Sequence, residues 1–198
     1  MKFHALARQL LEKQGSVRAR DLRAAGLEAA QIARLVQRGE LIQLARGLYA
    51  LAHRQPSQDE ALVVVAQRKP AGFFCLLTAL RFHGLTTQAP GAVWLGLGPG
   101  QHVPKLDWPA LRVVRYSGAG LTAGIETRFR DGIPLRVTSV ARTVVDCFKF
   151  RNKIGLDVAL EALAQARRER RASNEEIWRL ATVLRMANVM RPYMEAMP

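Results

Sequence analysis

Residues that build disulfide frameworks and metal centres are rare in this chain. Its 198 residues include two cysteines and four histidines. Cys75 and Cys147 are far apart in sequence and have apolar neighbours, so neither a disulfide framework nor a zinc site follows from them. We expect both to be buried free thiols. The histidines are scattered and form no His-Glu-x-x-His or Cys/His pattern, so the sequence predicts no metal and no cofactor.

Long hydrophobic runs are also lacking. No segment approaches the roughly 18 apolar residues that a membrane-spanning helix needs. Residues 1–15 have neither the continuous apolar core nor the small-residue cleavage site of a signal peptide. The sequence therefore predicts a cytoplasmic protein that has no membrane partner.

Acidic residues are few compared with basic ones. Thirty Lys and Arg stand against sixteen Asp and Glu, which gives a formal net charge of +14. Residues 1–55 hold ten of the basic and four of the acidic side chains, so the excess is spread along the chain instead of forming a tail. This distribution indicates two basic surfaces on folded units, for which polyanions are the natural partner. The alternative is that the charge serves solubility alone.

Helical patterns dominate the first part of the chain. The first predicted helix has one apolar stripe, formed by Phe3, Leu6, Ala7, Leu10 and Leu11. A second helix is predicted over residues 19–25 and a third over residues 28–38. Gly26 lies between them, which is typical of the turn in a helix-turn-helix.

A hairpin pattern follows the third helix directly. Two short apolar strands, at residues 41–44 and 48–51, surround a glycine-containing turn that carries Arg46. A helix-turn-helix followed by such a hairpin is a winged helix-turn-helix, which we predict over residues 1–54. A polar, proline-containing segment comes next and marks the boundary to a larger domain, residues 55–198.

The third helix has a polar stripe that suits DNA recognition. Gln31, Arg34 and Arg38 lie within a narrow arc of the predicted helix. Arg can form two hydrogen bonds to guanine, and Gln can form two to adenine. Arg46, at the tip of the hairpin, would meet the phosphate backbone or the minor groove. An ordinary solvated helix face is the alternative interpretation of the stripe.

The larger domain combines strand and helix patterns. Strands are predicted over residues 93–97, 111–116, 126–130 and 133–137, and helices over residues 59–68, 74–83 and 140–150. Further helices are marked by Leu156, Ala159, Leu160 and Leu163, by a capping box at Ser173, and by Met190, Tyr193, Met194 and Met197, with Pro192 suited to a first turn. The predicted fold class is α+β: an N-terminal winged helix-turn-helix domain, then a larger mixed α+β domain with a helical C-terminal end.

No converging set of catalytic groups is evident. Arg142 and Asp146 are four residues apart on one predicted helix, where an ion pair along the helix explains them better than catalysis. Asp107 followed by Glu126-Thr127-Arg128 weakly imitates the Asp…Glu-x-Lys pattern of many nucleases, with Arg in place of Lys. We therefore predict no catalytic residue and no enzyme, and keep a metal-dependent DNA-processing enzyme as a third alternative.

Taken together, the motifs of the chain resemble the AbiEi family, the antitoxins of type IV toxin–antitoxin systems. The motifs are Gly26, the segments 35–41 and 46–49, the segment LLTALRFHGL at 76–85, the block from Asp131 centred on Arg142-Thr143-Val144-Val145-Asp146, and the segment 191–195. The winged-helix part alone is common to many regulators, whereas the combination is specific to this family.

The resemblance implies a protein with two tasks. In that family the winged helix binds repeats in its own promoter and represses it, and the larger domain is needed to neutralise a cognate nucleotidyltransferase toxin, by direct or indirect contact. Carried onto this sequence, DNA binding falls to Arg18, Gln31, Arg34, Arg38 and Arg46. The family supplies no catalytic residues. A stand-alone winged-helix transcription factor with a ligand-sensing or oligomerisation domain is the main alternative.

A cluster of arginines suggests a second basic surface. Arg167, Arg168, Arg170 and Arg171 end one of the predicted C-terminal helices. We expect them to contact either DNA or the toxin. A solvated helix end is the alternative, because positive charge is favoured at the C-terminus of a helix.

Overall fold

The computed structural model describes residues 5–55 and 57–196, which form two compact units. The first unit comprises Met1–Arg68 together with Phe129–Pro134, and the second comprises Lys69–Arg128 and Leu135–Pro198. The first unit thus extends beyond residue 54. The assignment of separate functions to residues 1–54 and 55–198 stays a prediction. Phe3 and Met197, which the periodicity assigns to helices, lie outside the described residues.

The first unit contains a winged helix-turn-helix. Its elements are α1 (Ala5–Gln14), β1 (Val17–Arg18), α2 (Ala19–Ala24), α3 (Ala29–Gln37), β2 (Leu41–Ala45) and β3 (Leu48–Leu51). The three strands form an antiparallel sheet in the order β1-β3-β2. The architecture predicted from the sequence is confirmed.

Local signals explain where the two helices of the motif end and begin. Gly26 adopts a φ of +92° between α2 and α3, a conformation that side chains with a Cβ rarely take. Glu28 and Gln31 form a capping box at the start of α3. The apolar stripes of the helices meet in a core made of Ala7, Leu11, Val17, Leu22, Ala25, Leu27, Ile32, Leu35, Leu41 and Leu51.

Helix α4 (Glu60–Arg68) and residues 129–134 complete the first unit. The buried Ser16 hydroxyl donates a hydrogen bond to the carboxylate of Asp131, with an oxygen–oxygen distance of 3.0 Å. Asp131 and Gly132 have φ values of +51° and +68°, so the hairpin turn expected from Asp-Gly is confirmed.

The second unit is built around a five-stranded sheet. Its strands are β4 (Phe73–Phe74), β5 (Val93–Leu97), β6 (Leu111–Arg115), β7 (Ile125–Arg130) and β8 (Ile133–Thr138), in the order β6-β5-β4-β8-β7. Strand β4 runs antiparallel to β5 and parallel to β8, and β5 runs parallel to β6. Every residue of β5 is buried, as expected for a strand near the middle of a sheet.

Helices account for the rest of this unit. They are α5 (Leu76–Phe82), α6 (Val140–Lys149), α7 (Arg151–Ile154), α8 (Leu156–Arg168), α9 (Asn174–Val183) and α10 (Ala187–Ala196), with a short 3₁₀ helix at Gly118–Leu121. Helix α6 is central, because it packs against α5, α8, α9 and α10. The side chain of Ser139 caps it by accepting a hydrogen bond from the backbone of Arg142, and Ser173 caps α9 in the same way.

Two local predictions were wrong. The apolar run at residues 74–83 was predicted to be one helix, but Phe73–Phe74 pairs as a strand and α5 begins at Leu76. A short, uniformly apolar run has the same pattern in a buried strand and a buried helix. Pro192, expected in a first turn, lies inside α10, which begins five residues earlier at Ala187.

Candidate nucleic-acid interface

Helix α3 presents a distinct outward face. Ile32 and Leu35 are buried in the core, whereas Ala30, Arg34 and Gln37 are exposed. At 100° per residue, those three exposed positions fall within a narrow arc opposite the buried pair. This arc is the part of α3 that points most directly away from the core of the unit.

Three of the five predicted DNA contacts are accessible in this unit. Arg34 lies on the outward face of α3, and Arg38 is the residue that ends the helix. Arg46 is exposed in the turn between β2 and β3. Within the described residues the side chains of these three form no hydrogen bond or ion pair, so each guanidinium is available to an anion.

Gln31, the fourth predicted contact, is engaged in starting the helix. Its Oε1 accepts a hydrogen bond from the backbone N–H of Glu28, at 2.7 Å. The Glu28 side chain in turn accepts from the backbone N–H of Gln31. Gln31 therefore stabilises the start of α3, a role that its position on the helical wheel did not reveal.

Arg18, the fifth, lies at the junction of β1 and α2. It is half-buried, and its Nε is buried without a hydrogen-bond partner in the described part of the chain. Its backbone pairs with Leu48, the residue that directly follows the turn of the hairpin. The structure therefore does not group Arg18 with the exposed residues of α3.

The sequence interpretation missed Gln37 and a cleft beside α3. Gln37 lies three residues after Arg34, a spacing that places both on one helix face, and this signal was present in the sequence. The cleft has a volume of about 400 Å³ and is lined by Ala19, Arg23, Ala29, Ile32, Ala33, Val36, Gln43 and Tyr49. The sequence could not predict this cleft, because residues from four separate elements, α2, α3, β2 and β3, form it.

The second basic surface also has a defined geometry. Arg167, Arg168 and Arg170 line a cleft of about 730 Å³ at the junction of α8 and α9, together with Ser173 and Asn174. No acidic side chain is among its lining residues. The cleft is therefore a concave surface of positive charge.

The four arginines of this cluster differ in their contacts. Arg167 is half-buried and is held by Asn174 Oδ1 at 2.7 Å and by the backbone oxygen of Met194 at 3.0 Å. Arg168 and Arg170 are exposed. Arg171 donates to the backbone oxygen of His83 and lies 3.6 Å from a Glu169 oxygen. Arg171 is therefore not one of the arginines that line the cleft.

Arg142 and Asp146 form a buried ion pair, as the helix spacing predicted. Arg142 Nε lies 2.9 Å from Asp146 Oδ1, and both side chains are fully buried. The Tyr116 hydroxyl donates to the other carboxylate oxygen at 3.0 Å. Arg142 also donates to the backbone oxygens of Gly120 and Ala123. This network joins α6 to the loop before β7 and offers no accessible reacting group.

The residues considered for nuclease chemistry do not converge. Glu126 pairs with Arg128 at 2.5 Å, and Asp107 is an exposed loop residue. Among the residues that the structure describes, no group of three or more His, Cys, Asp or Glu side chains is placed to hold a metal ion. Nor does any helix in the described ranges have the length and apolar character needed to cross a membrane.

Comparison with protein families gives a match in the winged helix-turn-helix. Residues 6–52 match the family described as transcriptional regulator, AbiEi antitoxin. This segment is therefore similar to AbiEi antitoxin regulators. The resemblance inferred from the motifs is thereby confirmed for residues 6–52, and this match ends before α4.

The fold of the whole chain is similar to a solved structure. The crystal structure of the RV2827C protein from Mycobacterium tuberculosis matches with a TM-score of 0.62 and 16% sequence identity. The match covers 97% of this chain and 76% of that one. At this identity the likeness shows a shared fold and nothing more. Among curated proteins, none matches the chain.

Proposed function

We propose that the protein represses its own promoter by binding DNA through the winged helix-turn-helix, and that it is the antitoxin of a cognate nucleotidyltransferase toxin. The observation that carries the DNA-binding part is the set of three unpaired, exposed guanidinium groups on Arg34, Arg38 and Arg46. They lie on α3 and on the wing of a domain that matches AbiEi regulators.

Each group has a distinct role in this proposal. Arg34 and Gln37, on the outward face of α3, contact base edges in the major groove. Arg38, at the end of the helix, contacts a phosphate, and Arg46 reaches the backbone or the minor groove from the wing. Gln31 and Arg18, which the sequence also predicted to contact DNA, have structural roles: Gln31 caps α3, and Arg18 pairs with β3 next to the turn of the wing.

The DNA-binding proposal is tested by fluorescence anisotropy with the full chain. The probe is a duplex from the region upstream of its own gene, and the competitor is a scrambled duplex of equal composition. We expect tighter binding to the upstream duplex. Arg34→Ala should weaken it by about 10-fold, since a good bidentate base contact is worth about 1–3 kcal/mol. Arg46→Ala should also weaken it, through loss of a contact to the backbone or the minor groove.

Arg8→Ala is the matched control, because Arg8 is exposed on α1 and already paired with Glu12 at 2.9 Å. It should bind like the unaltered protein. Equal affinity for the upstream and scrambled duplexes would disprove the specific repressor. Unchanged binding in both Arg34→Ala and Arg46→Ala would disprove the assigned DNA-binding face.

The antitoxin part draws support from the cleft at the α8–α9 junction, whose charged lining residues are all arginines. Such a surface suits an acidic toxin surface or the nucleic acid on which the toxin acts. Growth rescue is measured while the full chain is co-expressed with a nucleotidyltransferase-like gene from the same locus. The double variant Arg168→Ala/Arg170→Ala should lose rescue and keep its affinity for the upstream duplex.

Arg179→Ala provides the control, since Arg179 is exposed on α9 and does not line the cleft. It should rescue growth fully. If the unaltered chain fails to rescue growth, the antitoxin proposal is wrong and a stand-alone transcription factor is favoured. If the double variant rescues as well as the control, the cleft has no part in neutralisation.

A further inference from the structure

The cleft beside α3 has an apolar wall and a polar rim. Ala29, Ala33 and Val36 of α3 form much of the wall. Arg23 of α2 and the pair Gln43 and Tyr49 supply the polar groups. Gln43 and Tyr49 are direct partners across β2 and β3, so their side chains leave the wing on the same face. The cleft therefore extends along α3 towards the wing.

The first two turns of α3 offer few groups that could form hydrogen bonds with a base. Ala29, Ala30 and Ala33 are exposed, and each side chain is a single methyl group. Gln31 Oε1 and the Glu28 carboxylate are both engaged in the capping box. What this end of the helix presents to a ligand is therefore chiefly apolar. In the major groove, the apolar group that distinguishes one base from the others is the 5-methyl group of thymine.

The charge around the cleft favours a nucleic-acid strand as its occupant. No carboxylate lines it, and Arg23 is exposed at its rim. Arg34, on the neighbouring face of α3, adds a second exposed positive charge to the same helix. A DNA strand presents an anionic phosphate, an apolar sugar and, at each thymine, a methyl group, and this combination matches the rim and the wall. An apolar peptide would leave Arg23 without a partner.

We propose that the cleft beside α3 recognises thymine through its methyl group. Ala29 and Ala33 contact the 5-methyl groups of neighbouring thymines, while Arg23 and Tyr49 hold adjacent phosphates. This specificity rests on the proposed binding of the protein to its own upstream DNA. It adds that part of the operator is read without hydrogen bonds, in a stretch of thymines next to the base pairs contacted by Arg34 and Gln37.

The test replaces thymine by deoxyuridine, which keeps every hydrogen-bonding group and lacks only the methyl. Each thymine of the upstream duplex is replaced in turn, and affinity for the full chain is measured by anisotropy. Two or three adjacent replacements should each weaken binding by about 4-fold, the loss expected for one buried methyl group. Replacements at the remaining thymines of the duplex are the internal control and should leave the affinity unchanged.

Protein variants test whether the apolar wall of the cleft contacts the thymine methyl group. Ala33→Ser adds a hydroxyl to the cleft and should reduce the preference for thymine over deoxyuridine at least 2-fold at one of the sensitive positions. Ala24→Ser is the matched control, because Ala24 is exposed near the end of α2 and does not line the cleft. It should leave the preference unchanged.

The possible outcomes separate the two proposals. If the upstream duplex is bound no better than a scrambled one, the proposed repressor function fails. If it is bound specifically and every deoxyuridine replacement is silent, the repressor stands and methyl recognition is wrong. If sensitive positions exist but both Ala29→Ser and Ala33→Ser keep the full preference, the methyl groups are contacted elsewhere and the cleft assignment is wrong.

Discussion

Three buried polar side chains fix the centre of the second unit. The carboxylate of Asp146 accepts hydrogen bonds from Arg142 and from the Tyr116 hydroxyl, and all three side chains are buried. A buried ion pair adds little stability compared with apolar residues of similar size in the same place. Removal of one partner, however, leaves the other charge buried without a counter-charge. The network therefore makes the fold intolerant of single changes at these positions.

Replacement of Asp146 by Asn should destabilise the protein strongly. We expect Asp146→Asn to lower the free energy of unfolding by about 3–5 kcal/mol, because the Arg142 charge stays buried without a counter-ion. Urea unfolding followed by circular dichroism measures this. Arg128→Ala, which breaks the exposed pair with Glu126, should cost less than about 1 kcal/mol. A similar loss for both variants would contradict the role of the buried pair.

His83 should make stability depend on pH. Its Nε2–H donates to the backbone oxygen of Thr138 at 2.6 Å, and burial lowers the pKa of the imidazole below its ordinary value of about 6.5. The unfolded chain therefore takes up the proton first, so the stability present above pH 6.5 is lost as the pH falls.

Urea midpoints at pH 7.5, 6.5 and 5.5 measure this dependence. His83→Gln should have a smaller decrease between pH 7.5 and 5.5 than the unaltered protein. His53→Gln alters an exposed histidine and should keep the full decrease. An identical pH dependence in all three proteins would show that His83 does not resist protonation.

At the scale of elements, helix α3 illustrates what sequence patterns reveal and what they miss. Its existence, its length to within a residue at each end, and the turn before it were predictable from periodicity and Gly26. The role of Gln31 was not, because a polar residue in a first turn can either cap the helix or face a ligand. Only the position of Glu28 relative to Gln31 in three dimensions distinguishes the two.

The capping role of Gln31 predicts how its replacement changes both protein stability and DNA discrimination. Gln31→Ala should lower the free energy of unfolding by about 0.5–1 kcal/mol through loss of the cap. Gln31→Glu should retain most of that stability, since a carboxylate can accept the same hydrogen bond. Discrimination between upstream and scrambled DNA should change less in Gln31→Ala than in Gln37→Ala. The reverse order would identify Gln31 as the base-contacting residue.

Long-range pairing explains the element that the sequence misassigned. Phe73–Phe74 is a strand because Phe74 pairs with Leu95 on one side and with Val137 on the other. Neither partner is near in sequence, so no local pattern could indicate the pairing. In contrast, the hairpin at Asp131-Gly132 was predictable, because its signal lies within the turn itself.

At the scale of the whole molecule, the net charge of +14 should make DNA binding strongly dependent on salt. The logarithm of the binding constant is expected to fall linearly with the logarithm of salt concentration, as phosphate contacts release counter-ions. Arg38→Ala should weaken binding to upstream and scrambled duplexes alike and reduce the slope by about 1.

Arg34→Ala should differ, because a base contact carries sequence preference. Its main effect should be on the ratio of affinities for the two duplexes, which titrations from about 50 to 200 mM salt measure. If the two variants change slope and preference equally, the separate roles of Arg38 and Arg34 are wrong.

The sequence by itself determined the helix-turn-helix, the wing, the α+β character of the remainder and the AbiEi resemblance. These depend on local signals, namely periodicity, capping residues and turn glycines, which act over a few residues. The tertiary structure decided that Arg142 and Asp146 are buried together, that Gln31 caps its helix, and that Gln37 shares the outward face with Arg34. It also formed the cleft beside α3 from four separate elements. Burial and the proximity of distant residues arise only when the chain packs, so no local pattern contains them.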